Sequence, residues 1–157
     1  MDQDSKAIDL QMRALALPRF SHDDGWWLGC HIRELARARG ASIAISIRRG
    51  ATQIFAVAVE GATADCVDWA VRKIATAMRF ERTSYAVALD MRAKGMDLAR
   101  FGLTTDLFAL AGGAVPLLIE GVGVCGGVAV SGMSELEDHE MVVEAMSALK
   151  ARMAADA

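Results

Sequence analysis

Apolar and polar side chains alternate strictly in one part of this chain, and the alternation predicts β-strands. Within residues 42–48, Ile43, Ile45 and Ile47 fall on one side, and small side chains fall on the other. A period of two is typical of a strand with one buried face. A turn and a second strand-like run at residues 53–60 follow directly, so these two segments predict an antiparallel hairpin.

A second hairpin is predicted later in the chain. Apolar residues dominate positions 115–120 and 122–130, and Gly121 between them favours a tight turn. Pro116 has no backbone N–H to donate. Its strand is therefore expected at an edge of the sheet, or to begin close to this residue.

Helical spacing, with apolar residues three and four positions apart, occurs between and around the hairpins. It predicts helices at residues 5–17, 22–39, 65–80, 84–94 and 135–153. Residues 97–110 show no clear period, and we expect irregular chain there with a short helix after Gly102.

The helix at residues 65–80 carries apolar residues on more than one side. Val67, Val71, Ile74 and Met78 are predicted to share its buried face. A neighbouring face holds Trp69, Lys73, Thr76 and Phe80. We therefore expect this helix to contact other parts of the protein on two sides.

Capping signatures mark the start of two helices. Ser21 is followed three positions later by Asp24, and Ser134 is followed at the same distance by Glu137. In a capping box the serine and the acidic side chain each satisfy a backbone N–H at the helix start.

If residues 5–17, whose helical character is weak, are left aside and residues 83–111 are counted as mainly irregular, the elements follow the order α, ββ, α, irregular, ββ, α. This order predicts an α+β fold with helices packed on a mainly antiparallel sheet. We interpret residues 1–157 as a single domain. Its core is expected at about residues 20–150, after an N-terminal extension at residues 1–20. The sequence leaves open whether that extension joins the core.

The charge balance and the cysteines restrict the location and the partners. The net charge is −3, and no basic cluster exceeds the pair Arg48 and Arg49, so we expect no nucleic-acid partner. The first twenty residues resemble neither a signal peptide nor a membrane span, and we expect a cytoplasmic protein with no membrane contact. Three widely spaced cysteines without a CxxC pair predict three reduced thiols.

The chain is rich in apolar residues for its size. Hydrophobic residues make up 54% of the sequence and include nine methionines, whereas aromatic residues make up only 6%. Some of this apolar surface is expected to lie between subunits, so we predict a homo-oligomer.

In their order and sequence, six segments resemble the haem-degrading-domain family of GlcG-like and HbpS-like proteins, and within it a branch of small cytoplasmic proteins. The segments are GWWLG at 25–29, DWAVRK at 68–73, RFERTSY at 79–85, GGAVP at 112–116, GVGVCGGVAVSG at 121–132 and EDH at 137–139. The resemblance implies a profilin-like sheet of about five antiparallel strands, a homo-oligomer, and haem as a candidate ligand.

One candidate site is formed by Glu137, Asp138 and His139 at the start of the last helix. Carboxylates beside a histidine are typical of proton transfer, so an enzyme is one interpretation. The alternative is that the acidic residues only complement the helix dipole. A single histidine is too little for a dedicated metal centre, and we predict no metal site.

A second candidate is a pocket bordered by Arg72, Ser84 and His139. Arg72 is expected to hold an anionic group of a ligand, Ser84 to donate a hydrogen bond, and His139 to add a titratable donor. The alternative is that Arg72 only pairs with Asp68, four residues earlier on the helix. Trp27 and His31, also four residues apart, raise a haem interpretation against one of simple packing.

Three functions follow from these observations. The first is a homo-oligomer that binds a small ligand, either haem or a small organic acid. The second is an enzyme that uses His139 with Glu137 or Asp138. The third is an adaptor whose surface binds another protein.

Overall fold

The computed structural model describes residues 4–157. Along them lie α1 (Ser5–Ala14), α2 (His22–Ala38), β1 (Ala44–Arg49), β2 (Thr52–Ala58), α3 (Ala64–Phe80), α4 (Ser84–Ala93), a 3₁₀ helix (Leu98–Phe101), β3 (Ala114–Ile119), β4 (Gly123–Ser131) and α5 (Glu135–Ala155). Residues 1–3, the start of the expected N-terminal extension, lie outside the described residues.

The strands form one antiparallel sheet in the order β2-β1-β4-β3. The two predicted hairpins therefore lie side by side, joined by the β1–β4 pair, and the α+β prediction is confirmed. The expected number of about five strands was wrong, because the sheet formed by the described part of the chain has four. Within residues 4–157, one further extended contact occurs, a single bridge between Leu17 and Ile119 beside β3, which is too short to form a strand. Pro116 lies in β3, an edge strand, as predicted.

Helices cover both faces of this sheet. On one face, α2 and α5 pack against the sheet, and their Leu28, Ile32 and Met146 join Ile45 and Val130 in the main hydrophobic core. The opposite face is covered by α3, which packs mainly against β4 and β3. Burial of this apolar surface is the principal stabilising contribution to such a fold.

The buried face of α3 differs from the prediction. Val67 and Val71 are 40% and 36% exposed, whereas Ala70, Ile74 and Ala77 are buried. The reason is steric. Alanine side chains let the helix approach a part of the sheet that is itself lined by small residues, namely Ala114 and Ala129.

Part of the expected N-terminal extension belongs to the core. Ile8 on α1 is buried against Tyr85, and Met12, Leu15 and Leu17 are buried within the main core. Leu17 also exchanges backbone hydrogen bonds with the chain around the end of β3. A core limited to residues 20–150 is therefore too short at its N-terminal end.

Three local predictions can also be compared with the structure. Both capping boxes form, at Ser21 with Asp24 and at Ser134 with Glu137. The short helix expected after Gly102 lies before it instead, because this glycine, with φ +71°, ends the 3₁₀ helix. The three cysteines are free, as predicted.

Among the helices of residues 4–157, none is both long and apolar enough to cross a membrane.

Candidate functional site

A buried ion pair joins α3 to α5. Lys73 Nζ lies 2.8 Å from Asp138 Oδ2, and the two side chains are only 3% and 1% exposed. The ammonium also donates a hydrogen bond to the carbonyl of Val130 on β4. The other Asp138 oxygen accepts one from the backbone N–H of Met133. One lysine and one aspartate thus connect two helices, a strand and a turn.

The electrostatics of this pair follow from its burial. Burial raises the pKa of the Asp138 carboxyl, because water no longer stabilises the charged form, and the nearby Lys73 ammonium opposes this rise. Gly113 makes the close approach possible. A Cβ on that residue would lie 2.8 Å from Lys73 Nζ and 3.1 Å from Asp138 Cβ.

Arg72, the next residue along α3, lies at a cavity of about 280 Å³. Apart from Arg72, Asp97 and Thr105, the residues that line the cavity are apolar and belong to α3 and to the segment after α4. Its lining residues include Trp69, Leu98, Leu103, Phe108 and Leu110. We call this space the Arg72 cavity.

The guanidinium of Arg72 is held from three directions. Its Nε donates to Asp68 Oδ2 at 2.7 Å, and its Nη1 donates to the carbonyl of Thr105 at 3.2 Å. The guanidinium carbon lies 4.2 Å from the centre of the Trp69 ring, in cation–π geometry. Within the described residues, Nη2 donates no hydrogen bond, so the group can still bind an anion.

Ser84 caps no helix and faces no solvent. It is fully buried at the start of α4, and its hydroxyl oxygen accepts a hydrogen bond from the backbone N–H of Ala114 at 3.0 Å. This contact fixes the beginning of β3 against α4.

His139 is also buried, at 1% exposure, between α5, α1 and α4. Its Nε2 lies 2.9 Å from Gln11 Oε1, and its ring is tilted against Tyr85 with the centroids 5.2 Å apart. The other ring nitrogen, Nδ1, has no hydrogen-bond partner among residues 4–157. Burial lowers the pKa of His139 to about 4, so the ring is neutral at pH 7.

The sequence-predicted residues thus lie in different surroundings. Arg72 borders a cavity, whereas Ser84 and His139 are in the interior and are not among the residues that line the Arg72 cavity. A ligand site shared by all three stays a prediction. Glu137, Asp138 and His139 have separate partners, since Glu137 caps the N-terminus of α5, Asp138 binds Lys73, and His139 contacts Gln11.

The sequence suggests Lys73 only as a second cation beside Arg72 for anion binding, and its buried pairing was not predicted, although a signal was present. It lies one turn from Ala70 and Ala77, so a helix that buries those alanines must bury the lysine stem with them. A lysine is almost never fully buried unless it is paired.

In the part of the chain that the structure describes, no group of three or more His, Cys, Asp or Glu side chains could hold a metal ion.

Solved structures share this fold over most of the chain. The Ybr137w protein superposes with a TM-score of 0.87 at 23% identity, covering 98% of this chain and 91% of its own. A PduOC:heme complex superposes with a TM-score of 0.71 at 22% identity, over 82% of this chain and 94% of its own. At these identities the likeness defines the class of fold, an α+β domain with one antiparallel sheet.

Sequence comparison gives the family. The model of the family described as haem degrading protein HbpS-like matches residues 20–147. UPF0303 proteins of Paraburkholderia phymatum and Streptomyces avermitilis are 45% and 42% identical over 146 residues. That alignment covers 92% of this chain and 88% and 90% of the respective relatives. The chain therefore belongs to the HbpS-like family, as its six sequence segments predicted.

Proposed function

We propose that this protein binds a small organic acid in the Arg72 cavity. The observation that carries the proposal is a largely apolar wall with one guanidinium at its edge, whereas the one carboxylate of the lining, Asp97, accepts a hydrogen bond from the backbone N–H of Ala99. Ligand sites are commonly apolar with a few polar groups that fix orientation. An apolar ligand body would pack against Trp69 and Phe108, and its carboxylate would bind Arg72.

Two features favour Arg72 as the anion-binding group. The Trp69 ring and the Thr105 carbonyl hold the guanidinium in place, so little side-chain entropy would be lost on binding. Asp68, its present partner, is 61% exposed, so water can solvate this carboxylate when it releases Arg72, whose own side chain is only 14% exposed. A ligand carboxylate can therefore bind Arg72 at a small cost to the Asp68 contact.

A titration calorimetry experiment with phenylacetate tests this proposal. We expect binding to the wild-type protein, and Arg72→Ala should weaken it by about 1.5–3 kcal/mol, the range for a hydrogen bond to a charged group. Arg79→Ala is the matched control, because Arg79 is an exposed arginine on the same helix. Equal affinity of the wild-type and Arg72→Ala proteins would refute the proposal.

Haem is the second candidate ligand, and a different part of the molecule favours it. Haem iron takes His, Cys, Met or Tyr as axial ligand, and none of these lines the Arg72 cavity. His31 on α2 is half-buried, and its ring stacks on Trp27 with the centroids 4.8 Å apart and the planes 10° apart. The stack on Trp27 would hold the orientation of the His31 ring, a nitrogen of which would be offered to the iron, and the family description and the PduOC:heme complex support the idea.

A haem titration followed at the Soret band separates the two candidates. If His31 is the axial ligand, His31→Ala should shift the Soret maximum or abolish it, whereas His22→Ala, on the exposed start of the same helix, should not. A spectrum that both variants leave unchanged would exclude His31. Addition of phenylacetate should leave the haem spectrum unaltered, because the proposed sites are separate.

We also propose that the protein is a homo-oligomer. Trp26, Val67 and Val71 are large apolar residues exposed at the surface, and β2 is an edge strand without a charged residue. Such edges and patches are typically covered in the native assembly. Sedimentation velocity should give a mass that is a multiple of 16.8 kDa, and Val67→Asp with Val71→Asp should reduce it. A wild-type monomer at micromolar concentration would contradict this proposal.

The proton-transfer interpretation draws no support from these contacts. His139 is buried and neutral, and Asp138 is held by Lys73. In the adaptor interpretation, another protein would bind the exposed valines of α3. Sedimentation in the presence of a cell extract would then show a heavier species that contains this protein and its partner.

A further inference from the structure

A second cavity, of about 300 Å³, shares Trp69 with the Arg72 cavity. Lys73 lies in its wall, one residue beyond Arg72 on α3, and Ala111 follows Leu110 of the first cavity in the same way. The two spaces therefore follow one another along α3 and along the chain before β3. We call the second space the Lys73 cavity.

Polar groups of this cavity retain unused hydrogen-bonding capacity. Ser131 is only 6% exposed and lines the cavity, yet its hydroxyl makes no hydrogen bond with any residue from 4 to 157. The Lys73 ammonium has three N–H donors and uses two of them, on Asp138 and Val130. The third Lys73 N–H and the Ser131 hydroxyl are therefore available to an oxygen atom that enters the cavity.

The charges around the cavity decide what kind of group fits. Lys73 is neutralised by Asp138, and Glu135 is paired with Arg92. Asp65 adds a negative charge at the wall that no salt bridge within the described residues compensates. A second carboxylate would meet Asp65, Glu135 and Asp138, so an anion is disfavoured. An uncharged oxygen can accept from Lys73 and Ser131 without that repulsion.

We propose that the Lys73 cavity is a binding subsite for an uncharged oxygen group, a carbonyl or hydroxyl, held by Lys73 Nζ and Ser131 Oγ. Combined with the proposed function, on which this step rests, it defines the ligand class as oxo- or hydroxy-carboxylic acids. The carboxylate lies at Arg72, the apolar body contacts Trp69, and the second oxygen enters the Lys73 cavity.

The subsite is tested alone with benzamide, which carries a neutral carbonyl and no carboxylate. In a ¹H–¹⁵N NMR titration we expect the largest shifts at Gly132 and Met133, which line the cavity. Ser131→Ala should weaken binding about three- to tenfold, the effect of one hydrogen bond. Ser46→Ala is the matched control, since Ser46 is also a buried serine of the sheet but lies outside this cavity. Unchanged affinity in Ser131→Ala would overturn the proposal.

Arg72→Ala makes the two proposals distinguishable. If the subsite exists, benzamide should bind this variant as well as it binds the wild-type protein, even if phenylacetate binding at Arg72 fails. The opposite result is that phenylacetate binding depends on Arg72 but benzamide shifts residues other than Gly132 and Met133. This result would refute the subsite and leave the first proposal standing.

The ligand class is tested with two acids that differ only by a ketone, 3-benzoylpropanoate and 4-phenylbutanoate. The keto acid should bind the wild-type protein about three- to tenfold more tightly, and Ser131→Ala should remove this advantage. Lys73→Met combined with Asp138→Asn provides a second variant that removes the ammonium and leaves no buried charge unpaired. A keto advantage that persists in both variants would show that the ketone binds elsewhere.

Discussion

Lys73 and Asp138 are 65 positions apart in the chain, yet their side chains form a 2.8 Å ion pair inside the protein. The pair connects the helix on one face of the sheet with the N-terminal end of the helix on the other. Buried ion pairs contribute little net stability when intact, because desolvation offsets their attraction. Removing one partner is costly, because the remaining charge is left buried and unpaired.

The first prediction follows from this asymmetry. Lys73→Met should lower the free energy of unfolding by about 3–5 kcal/mol, since it leaves the Asp138 carboxylate without its counter-charge. The double variant with Asp138→Asn should recover a large part of that loss. Urea unfolding followed by circular dichroism measures both. Lys94→Met is the control, because Lys94 pairs with Asp90 at the surface and its loss should cost less than about 1 kcal/mol.

A second prediction concerns the pH dependence of stability. Burial lowers the pKa of His139 from its usual 6.5 to about 4, so between these pH values the unfolded state binds a proton that the folded state does not. Stability contributed by neutral His139 is therefore complete above pH 6.5 and decreases as the pH falls towards 4. At about 1.4 kcal/mol for each pKa unit, the loss totals about 3 kcal/mol.

The measurement is a series of unfolding curves between pH 4 and 7.5 for the wild-type protein and for His139→Gln. The glutamine variant cannot titrate in this range, so its stability should fall less steeply with decreasing pH. His31→Gln, at a half-buried histidine on α2, provides the matched control. If His139→Gln and the wild-type protein lose stability in parallel, the histidine is not the titrating group.

The sequence predicted the sheet well because its signals are local. The strict alternation around Ile45 and the glycine-bounded run before Ser131 each predicted a hairpin that the structure contains. The capping boxes predicted where two helices begin. The buried face of α3 was predicted wrongly, because larger valines were preferred over Ala70 and Ala77. A hydrophobicity pattern contains no information on how closely a helix approaches its sheet. In this protein that distance determines which face of α3 is buried.

The site was harder to predict for a related reason. Arg72 was proposed from the sequence because its residue type and its position on α3 suggest anion binding, and this role stays a prediction. The proximity of Lys73 and Ser131 was not predicted, because only the tertiary structure brings them together with Asp138 beside one cavity. His139 was expected to face a ligand, whereas α1 covers it through Gln11. That contact spans 128 positions, and no local pattern indicates it.

A third prediction uses two adjacent glycines of β4. A Cβ on Gly126 would collide with the backbone carbonyl oxygen of Arg48 on the neighbouring strand β1, and backbone atoms cannot move aside without breaking the pairing of the two strands. A Cβ on Gly127 would instead meet the side chain of Ile74, whose methyl group lies 3.1 Å away and can shift. Gly126→Ala should therefore destabilise by about 1–3 kcal/mol or more, and Gly127→Ala by clearly less. Thermal unfolding of the two variants gives the comparison, and equal losses would contradict it.

The last prediction concerns how α1 is attached. Arg82, in the turn between α3 and α4, forms two hydrogen bonds with Asp9 on α1, at 3.1 Å and 3.0 Å, and a third with Asp90 on α4 at 3.4 Å. These side chains are 20–29% exposed, so water screens the charges only in part. Because α1 covers His139 through Gln11, loosening α1 should expose the histidine. We expect Arg82→Ala to cost about 1–2 kcal/mol in stability.

The decisive measurement is the pKa of His139, followed by NMR in the folded protein. In Arg82→Ala it should rise from about 4 towards 6.5, because partial release of α1 lets water reach the ring. Arg92→Ala is the control, since Arg92 pairs with Glu135 and its loss leaves the Asp9 contact intact. A His139 pKa that is identical in Arg82→Ala and the wild-type protein would mean that the apolar contacts of Ile8 and Met12 suffice to hold α1 in place.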